Sequence, residues 1–210
     1  MRPYTGKETH VAHMEEGDWY GSEQSKVMSA PDTVSIVFKG EDGSETKLKE
    51  GLQLGAGEII DAATMSRTAL TSYYKHQIQE CKESGLLFSL HLKATMMKVS
   101  DPILFGHCVR VFFEPVFTKH AALLDQLGVN PNHGLAALLD KLQGHPSQTE
   151  VEADISACYA TRPGLAMVDS SKGITNLHVP SDVIIDASMP CVVRDGGAMW
   201  SKEDKLEPVK

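Results

Sequence analysis

Residues 86–102 place a strand, a loop and a helix start in immediate succession, which constrains the fold more than any other stretch. LLFSLHLK (86–93) is short and almost continuously apolar, as is typical of a buried strand. SDP (100–102) then predicts a helix start, because aspartate can cap free N–H groups and proline suits the first helical position. Ligands of open α/β sheets bind beyond the carboxyl ends of strands, so Lys93 is the first candidate site residue.

The rest of the chain alternates between strand-like and helix-like patterns. Asp-Gly lies between the runs 34–40 and 45–52 and predicts a β-hairpin, within a hairpin region spanning 24–54. Helix-like spacing of apolar residues predicts four helices, at 61–83, 103–127, 135–142 and 150–159. Glu114-Pro115 should break the second of these helices. Buried strands are also predicted at 165–170 and 182–189.

These elements together predict an α/β fold, a mixed sheet with helices on both faces. We expect a single α/β segment over residues 1–210, with a charged, solvated tail at 198–210. A chain of 210 residues can bury a sizeable core without disulfides or metals. The four cysteines are widely spaced and match no metal-binding pattern, so we interpret them as reduced thiols: Cys81, Cys108, Cys158 and Cys191.

Charge and hydropathy exclude some classes of function. The formal net charge of −8 argues against a broad nucleic-acid surface, although it leaves room for a local basic pocket. No apolar run approaches the length of a membrane span, and the first ten residues lack the apolar core of a signal peptide. We therefore expect a cytoplasmic protein, with a mitochondrial location as the alternative in a eukaryote.

Three residues at or near predicted strand ends could carry chemistry. Lys93 and the nearby Lys98 are either ordinary surface lysines or groups that hold an anionic substrate and move a proton, since a partly desolvated lysine titrates nearer neutral pH. Asp186 follows the apolar run 183–185 and is either a turn former or a hard oxygen ligand for Mg²⁺ or Mn²⁺. The residue pattern alone does not choose between these alternatives.

Other polar residues give weaker signals. His10 and His13 have helical spacing but no third ligand nearby, so a structural role is favoured over zinc. His91 alternates with the apolar residues of its strand, and His178 could line a pocket. The loop 170–173 contains Ser and Gly but lacks the glycine spacing of a phosphate-binding loop, so we interpret it as a loop only.

Five long strings resemble the monomeric NADP-dependent isocitrate dehydrogenases, in the same order along the chain. HLKATMMKVSDPILFG (91–106) and GITNLHVPSDVIIDASMP (173–190) are the most similar. THVAHMEEGDWYGSE (9–23), AGEIIDAATMS (56–66) and EADISACYATRPGLAMV (152–168) extend the resemblance over nearly the whole chain. Long ungapped strings are far more specific than a short glycine motif.

The resemblance implies a fold, a reaction and two site residues. The fold would be isocitrate/isopropylmalate dehydrogenase-like, as a partial domain. The reaction would be oxidative decarboxylation of isocitrate to 2-oxoglutarate with NADP and Mg²⁺ or Mn²⁺, a step of the tricarboxylic acid cycle next to the glyoxylate bypass. Lys93 matches the family's substrate-contacting and proton-transferring lysine, and Asp186 matches a metal-ligating aspartate.

This sequence departs from the family in length. The loop of Asn-Ser-Asp-Arg-Arg type that grips the carboxylates of isocitrate is missing, and the catalytic tyrosine, the other metal aspartates and the NADP site lie beyond this segment in the family. We therefore expect a chain that is inactive alone and completed by the remainder of the parent enzyme. The alternative is a free-standing, non-catalytic interaction or regulatory domain that self-associates through open sheet edges.

Overall fold

The computed structural model describes residues 11–180 and 197–208, which fall into two compact units. The first, here called the hairpin unit, is Glu15–Ser66. The second, the helical unit, takes in the described parts of Met1–Met14 and Arg67–Lys210. Each unit mixes helix and strand, in agreement with an α/β composition.

The hairpin unit contains one short helix and two antiparallel strand pairs. Its elements are α1 (Trp19–Ser22), β1 (Gln24–Val27), β2 (Asp32–Lys39), β3 (Glu45–Leu54) and β4 (Ile59–Ala62). β1 pairs with β4, and β2 pairs with β3 around the predicted Asp-Gly turn. In that turn the Asp42 carboxylate accepts hydrogen bonds from the backbone N–H and the hydroxyl of Ser44, and Gly43 has a φ of 80°.

In its described ranges, the helical unit carries six helices and four short strands. They are α2 (Arg67–Ser84), α3 (Ser100–Phe112), α4 (Glu114–Lys119), α5 (Ala121–Gln126), α6 (Gly134–Leu142), α7 (Gln148–Thr161), β5 (Met167–Asp169), β6 (Ile174–Thr175), β7 (Ala198–Trp200) and β8 (Leu206–Pro208). Two 3₁₀ turns, Pro131–His133 and Ser170–Lys172, complete the unit. No helix in the described ranges is both long and apolar enough to cross a membrane.

Helix boundaries agree with the sequence pattern at some places and differ at others. The break predicted at Glu114-Pro115 is confirmed, and the helix is interrupted again at His120. The predicted start of the first helix at residue 61 is wrong, because Ile59–Ala62 pairs as a strand with β1 and the helix begins at Arg67. Local apolar spacing could not reveal this pairing with a strand more than thirty residues away.

Aromatic and aliphatic side chains of α3, α6 and α7 form the core of the helical unit. Phe112 is fully buried, and its ring centroid lies 5.0 Å from that of Phe113 and 6.4 Å from that of Phe88. Leu138 and Val151 bring α6 and α7 into the same interior with 1% and 0% exposure. Burial of apolar area on this scale is the main source of stability of the unit.

Four extended segments lie side by side in this unit. Phe88 donates its N–H to the Gly164 carbonyl at 2.8 Å, and Ala166 donates back to Phe88 at 3.0 Å. Leu87 donates to Pro208 on one side, and Asn176 donates to Ala166 on the other. Among the described residues, the predicted strand 86–93 therefore has ladder contacts at Leu87 and Phe88 only.

Residues 198–208, expected as a solvated tail, pair as β7 and β8 instead. Ser201 in the connecting turn is only 2% exposed, and Asp204 adopts a left-handed φ of 58° there. The hydrogen bond from Leu87 attaches β8 to the rest of the unit. The charged residues of this segment stay on the surface while its backbone is ordered by pairing.

Candidate functional site

Lys93 lies at the end of the extended segment and begins a helical turn. Its carbonyl accepts hydrogen bonds from the N–H groups of Met96 and Met97, at 2.9 and 3.0 Å. The Lys93 side chain is half-buried, whereas Lys98 is exposed. The structure therefore places the two candidate lysines in different environments, and only Lys93 lies at the junction between strand and helix.

Asp101 holds the backbone of Lys93 in place. Its carboxylate Oδ2 accepts the Lys93 N–H at 2.9 Å, and its Oδ1 accepts the Ser100 hydroxyl at 3.0 Å. Asp101 is only 6% exposed, so its carboxylate depends on these partners. The sequence predicted an N-cap here. Asp101 instead lies inside the first turn of α3, and Val99 occupies the cap without a side-chain bond.

A second group of hydrogen-bonded polar side chains surrounds residues 89–91, just before Lys93. The Asn176 amide donates to the Ser89 hydroxyl at 3.0 Å and to the Leu90 carbonyl at 3.2 Å. The Ser89 hydroxyl contacts His91 Nε2 at 2.7 Å, and burial lowers the pKa of His91. Asn176 is fully buried, and its Oδ1 has no hydrogen-bond partner among the described residues. No sequence pattern indicates Asn176, because its contact with Leu90 spans 86 residues and has no local signal.

His178 fixes the end of the 173–180 motif. Its Nδ1 accepts from the backbone N–H and contacts the hydroxyl of Thr175, each at 2.9 Å, and burial is the main cause that lowers its pKa. The carbonyls of Leu177 and His178 accept the first N–H groups of α6, from Leu135 and Ala136. The motif is thus anchored to α6 just before the chain continues toward residue 186. Asp186 itself lies outside the described residues, as does the predicted strand 182–189.

The loop that follows Lys93 exposes apolar side chains. Met96 is 67% exposed, Met97 43% and Val99 78%. The described part of the chain does not cover these side chains. Contiguous exposed apolar side chains are typical of surfaces that contact a protein segment, a membrane or a ligand.

The structure also brings together a His, a Glu and an Asp that the sequence did not indicate. The ligand atoms of His120, Glu150 and Asp154 lie within 4.8 Å of one another. The Lys119 ammonium lies 3.0 Å from Glu150 and 2.8 Å from Asp154, and His120 Nε2 lies 2.6 Å from Asp154. A cation of the protein itself therefore occupies the position between the carboxylates. We interpret the cluster as an ion-pair network joining α4 and α5 to α7.

This network predicts an acid-sensitive contribution to stability. Hydrogen bonds from Lys119, and then from His120, hold the pKa of Asp154 below its usual range. The native state therefore binds this proton less readily than the unfolded state, so the contribution is complete above about pH 4 and is lost as pH falls through the lowered pKa. Asp154→Asn should lower the thermal unfolding midpoint at pH 7, and the difference from the unchanged chain should shrink below pH 4.

Glu45→Gln is the matched control, because its pair with Lys39 is exposed and such pairs contribute little. Its midpoint should follow that of the unchanged chain at every pH. A difference for Asp154→Asn that stays constant down to pH 3 would contradict the assignment. A large rise of the midpoint on addition of Mg²⁺ or Zn²⁺, lost in Asp154→Asn, would show a metal site instead.

A cavity of about 520 Å³ lies elsewhere in the helical unit. It is lined by the ends of α2 and α7 and by the β7–β8 turn, and Lys93 is not among its lining residues. The Ser201 hydroxyl, which lines it, has no partner among the described residues. This cavity is therefore separate from the candidate site at Lys93.

Comparison of the amino-acid sequence with known proteins identifies its family. The profile of monomeric isocitrate dehydrogenase matches residues 2–210. The NADP isocitrate dehydrogenase of Azotobacter vinelandii is 52% identical over 204 residues, which are 96% of this chain and 28% of that protein. Isocitrate dehydrogenase [NADP] 2 of Colwellia maris is 53% identical, with the same coverage, and that of Mycobacterium tuberculosis is 47% identical over 96% of this chain and 27% of its own length.

The matched relatives are oxidoreductases of the NADP isocitrate dehydrogenase class. The chain belongs to the monomeric isocitrate dehydrogenase family. It spans only about 28% of the length of the curated relatives, so it corresponds to a segment of them.

Proposed function

We propose that this chain is a segment of an NADP-dependent isocitrate dehydrogenase and supplies part of its active site. The observation that carries the proposal is the match over residues 2–210, with identities near 50% to enzymes more than three times as long. Isocitrate is the proposed substrate, and 2-oxoglutarate the product. The isocitrate/isopropylmalate dehydrogenase-like sheet and the cytoplasmic location belong to the same proposal.

Lys93 is proposed to contact the substrate and to take part in proton transfer. Its backbone is fixed by the buried Asp101 at 2.9 Å, which supports a defined position for the side chain. A proton-transferring group must be held within hydrogen-bonding reach of the substrate atom it serves. The exposed apolar loop next to it supports a site that is closed by another part of the enzyme.

The metal is proposed to bind through Asp186 together with aspartates from outside this segment. Mg²⁺ and Mn²⁺ prefer oxygen ligands, so a cluster that includes His120 and is bridged by Lys119 does not fit them. The only such cluster among the residues that the structure describes therefore does not fit either ion. NADP is proposed to bind outside this chain, where its reduction would accompany oxidation of the substrate.

The proposal predicts that the isolated chain is inactive. Isocitrate-dependent NADP⁺ reduction, followed by absorbance with Mg²⁺ or Mn²⁺ present, should be absent for residues 1–210 alone and present for a full-length enzyme that carries this segment. An unfolded segment would give the same negative result, so circular dichroism should first establish a cooperative unfolding transition. Activity of the isolated chain, or its absence in the full-length enzyme, would contradict the proposal.

The second candidate is a non-catalytic interaction domain of the same family. It is favoured by the sheet edges of the hairpin unit, with which no strand in the described ranges pairs. Joining the flanking segments of a full-length relative to this chain separates the two candidates. Recovered isocitrate oxidation supports the enzyme segment, and continued inactivity of a well-folded chimera supports the interaction domain.

A further inference from the structure

The ladder that holds Phe88 stops before the chain reaches Lys93. Phe88 exchanges backbone hydrogen bonds with Gly164 and Ala166. Among the described residues, no backbone–backbone hydrogen bond involves residues 89–92. A segment without such bonds opens at low cost unless side chains hold it. The course of the chain between Phe88 and Lys93 therefore depends on side-chain contacts.

The side chain of Asn176 takes the place of a ladder partner for this segment. The backbone N–H of Asn176 donates to the Ala166 carbonyl at 2.9 Å, so the residue itself is fixed among the extended segments. Its side-chain amide donates to the Ser89 hydroxyl at 3.0 Å and to the Leu90 carbonyl at 3.2 Å. Both hydrogens of the amide therefore hold successive residues of the segment.

Asp101 holds the other end of the same segment. Its carboxylate accepts the Lys93 N–H at 2.9 Å. Only two residues lie between the Leu90 carbonyl and the Lys93 N–H. A stretch this short has few conformations left once both of its ends are fixed. The position of the Lys93 backbone therefore depends on Asn176 as well as on Asp101.

The amide of Asn176 is a costly group at this position. Asn176 is 0% exposed, and its neighbours Leu177 and Ala166 are fully buried as well. Its Oδ1 has no hydrogen-bond partner among the described residues, and a buried acceptor without a partner lowers stability. An apolar side chain would avoid this loss, but it could not hold Ser89 and Leu90.

We propose that Asn176 is a positioning residue for Lys93, which holds residues 89–92 so that the lysine side chain meets the substrate in a reactive position. The inference rests on the role in proton transfer proposed for Lys93. A displacement of about 1 Å at a reacting group can lower the rate by about 10²-fold. A buried residue that never touches the substrate can therefore control turnover.

The test is a double-mutant cycle in a full-length enzyme that carries this segment. Asn176→Val removes the two donors and the unpartnered oxygen, and valine suits an extended backbone. It should lower kcat by about 10- to 100-fold. In the Lys93→Met background the same substitution should leave kcat nearly unchanged, because a displaced methionine has no proton transfer to lose.

The cycle separates this inference from the proposal on which it rests. A loss of kcat for Lys93→Met without a loss for Asn176→Val would overturn the positioning role alone. An equal fold-loss for Asn176→Val in both backgrounds would overturn it as well, because Asn176 would then act independently of the lysine. Full activity of Lys93→Met would overturn the role of the lysine, and the positioning role with it.

Val151→Ala controls for a general loss of stability. Val151 is fully buried in α7, and its truncation leaves a cavity that lowers the unfolding midpoint. The hydrogen bonds that hold residues 89, 90 and 93 do not involve it. Its kcat should stay close to that of the unchanged enzyme at a temperature well below the midpoint. A fall in kcat as large as that of Asn176→Val would contradict the positioning role.

Ser89→Ala tests the same contact with a smaller change in the core. It removes one acceptor of the Asn176 amide and leaves the bond to the Leu90 carbonyl, so kcat should fall by less than in Asn176→Val. This loss should also vanish in the Lys93→Met background. If Asn176→Val fails to fold, an undiminished kcat of Ser89→Ala overturns the proposal.

Amide hydrogen exchange reports the position of Lys93 without turnover. The Lys93 N–H should exchange faster in Asn176→Val and in Ser89→Ala, because the segment that presents it to Asp101 is less restrained. Amides in the middle of α3 should keep their rates, which shows that the helix remains folded. Unchanged exchange at Lys93 in both variants would overturn the inference.

Discussion

Replacing Lys93 by methionine in a full-length enzyme that carries this segment is expected to lower kcat by about 10²- to 10⁴-fold, the usual loss when a positioned proton-transfer group is removed. Methionine keeps the length of the side chain and removes its charge and its proton. The backbone bond from Lys93 to Asp101 does not involve the side chain, so the loop should keep its conformation. Steady-state isocitrate oxidation and circular dichroism measure the two effects separately.

Two matched variants separate charge from proton transfer. Lys98→Met removes an exposed lysine from the same loop and should leave kcat nearly unchanged. Lys93→Arg keeps a positive charge that cannot be lost near neutral pH, so it should preserve substrate binding better than turnover. Equal losses for Lys93→Met and Lys98→Met, or full activity of Lys93→Arg, would contradict the role proposed for Lys93.

The contrast between Lys93 and Asp101 shows how far the sequence predicts the site. Lys93 could be proposed from its position after an apolar run, and the resemblance of residues 91–106 then favoured it over Lys98. The role of Asp101 could not be predicted, because Ser-Asp-Pro is also a common helix start. Only the folded loop shows that its carboxylate accepts the Lys93 N–H eight residues back.

The same distinction holds for the fold. The hairpin formed by β2 and β3 follows from alternation and an Asp-Gly turn, which act within a few residues. β4 pairs with β1, which lies more than thirty residues earlier in the chain. β7 and β8 are joined by a turn whose left-handed residue is Asp204 and not glycine. Local spacing carries no information about such partners, so the pattern predicts a helix start at residue 61, inside β4.

Replacing Gly134 by alanine is expected to destabilise the helical unit strongly. Gly134 has φ 83° and ψ −176°, a region of backbone space that is essentially restricted to glycine. An added Cβ would also collide with the carbonyl of His178, which accepts the N–H of Ala136 at the start of α6. The strained backbone and the displaced motif together should cost about 3 kcal/mol or more, which is roughly 6–12 °C in the unfolding midpoint for a chain of this size.

Gly144→Ala is the control for the cost of a positive φ. Gly144 has a similar φ of 76°, but no atom lies within 4 Å of the added Cβ. It should cost only the backbone strain, about 1–2 kcal/mol. A loss for Gly134→Ala that clearly exceeds this value measures the added cost of its ψ of −176° and of the collision with the 173–180 motif. Equal losses for the two variants would mean that the motif can move away from α6 at little cost, and that its contact with α6 does not fix the chain that leads to Asp186.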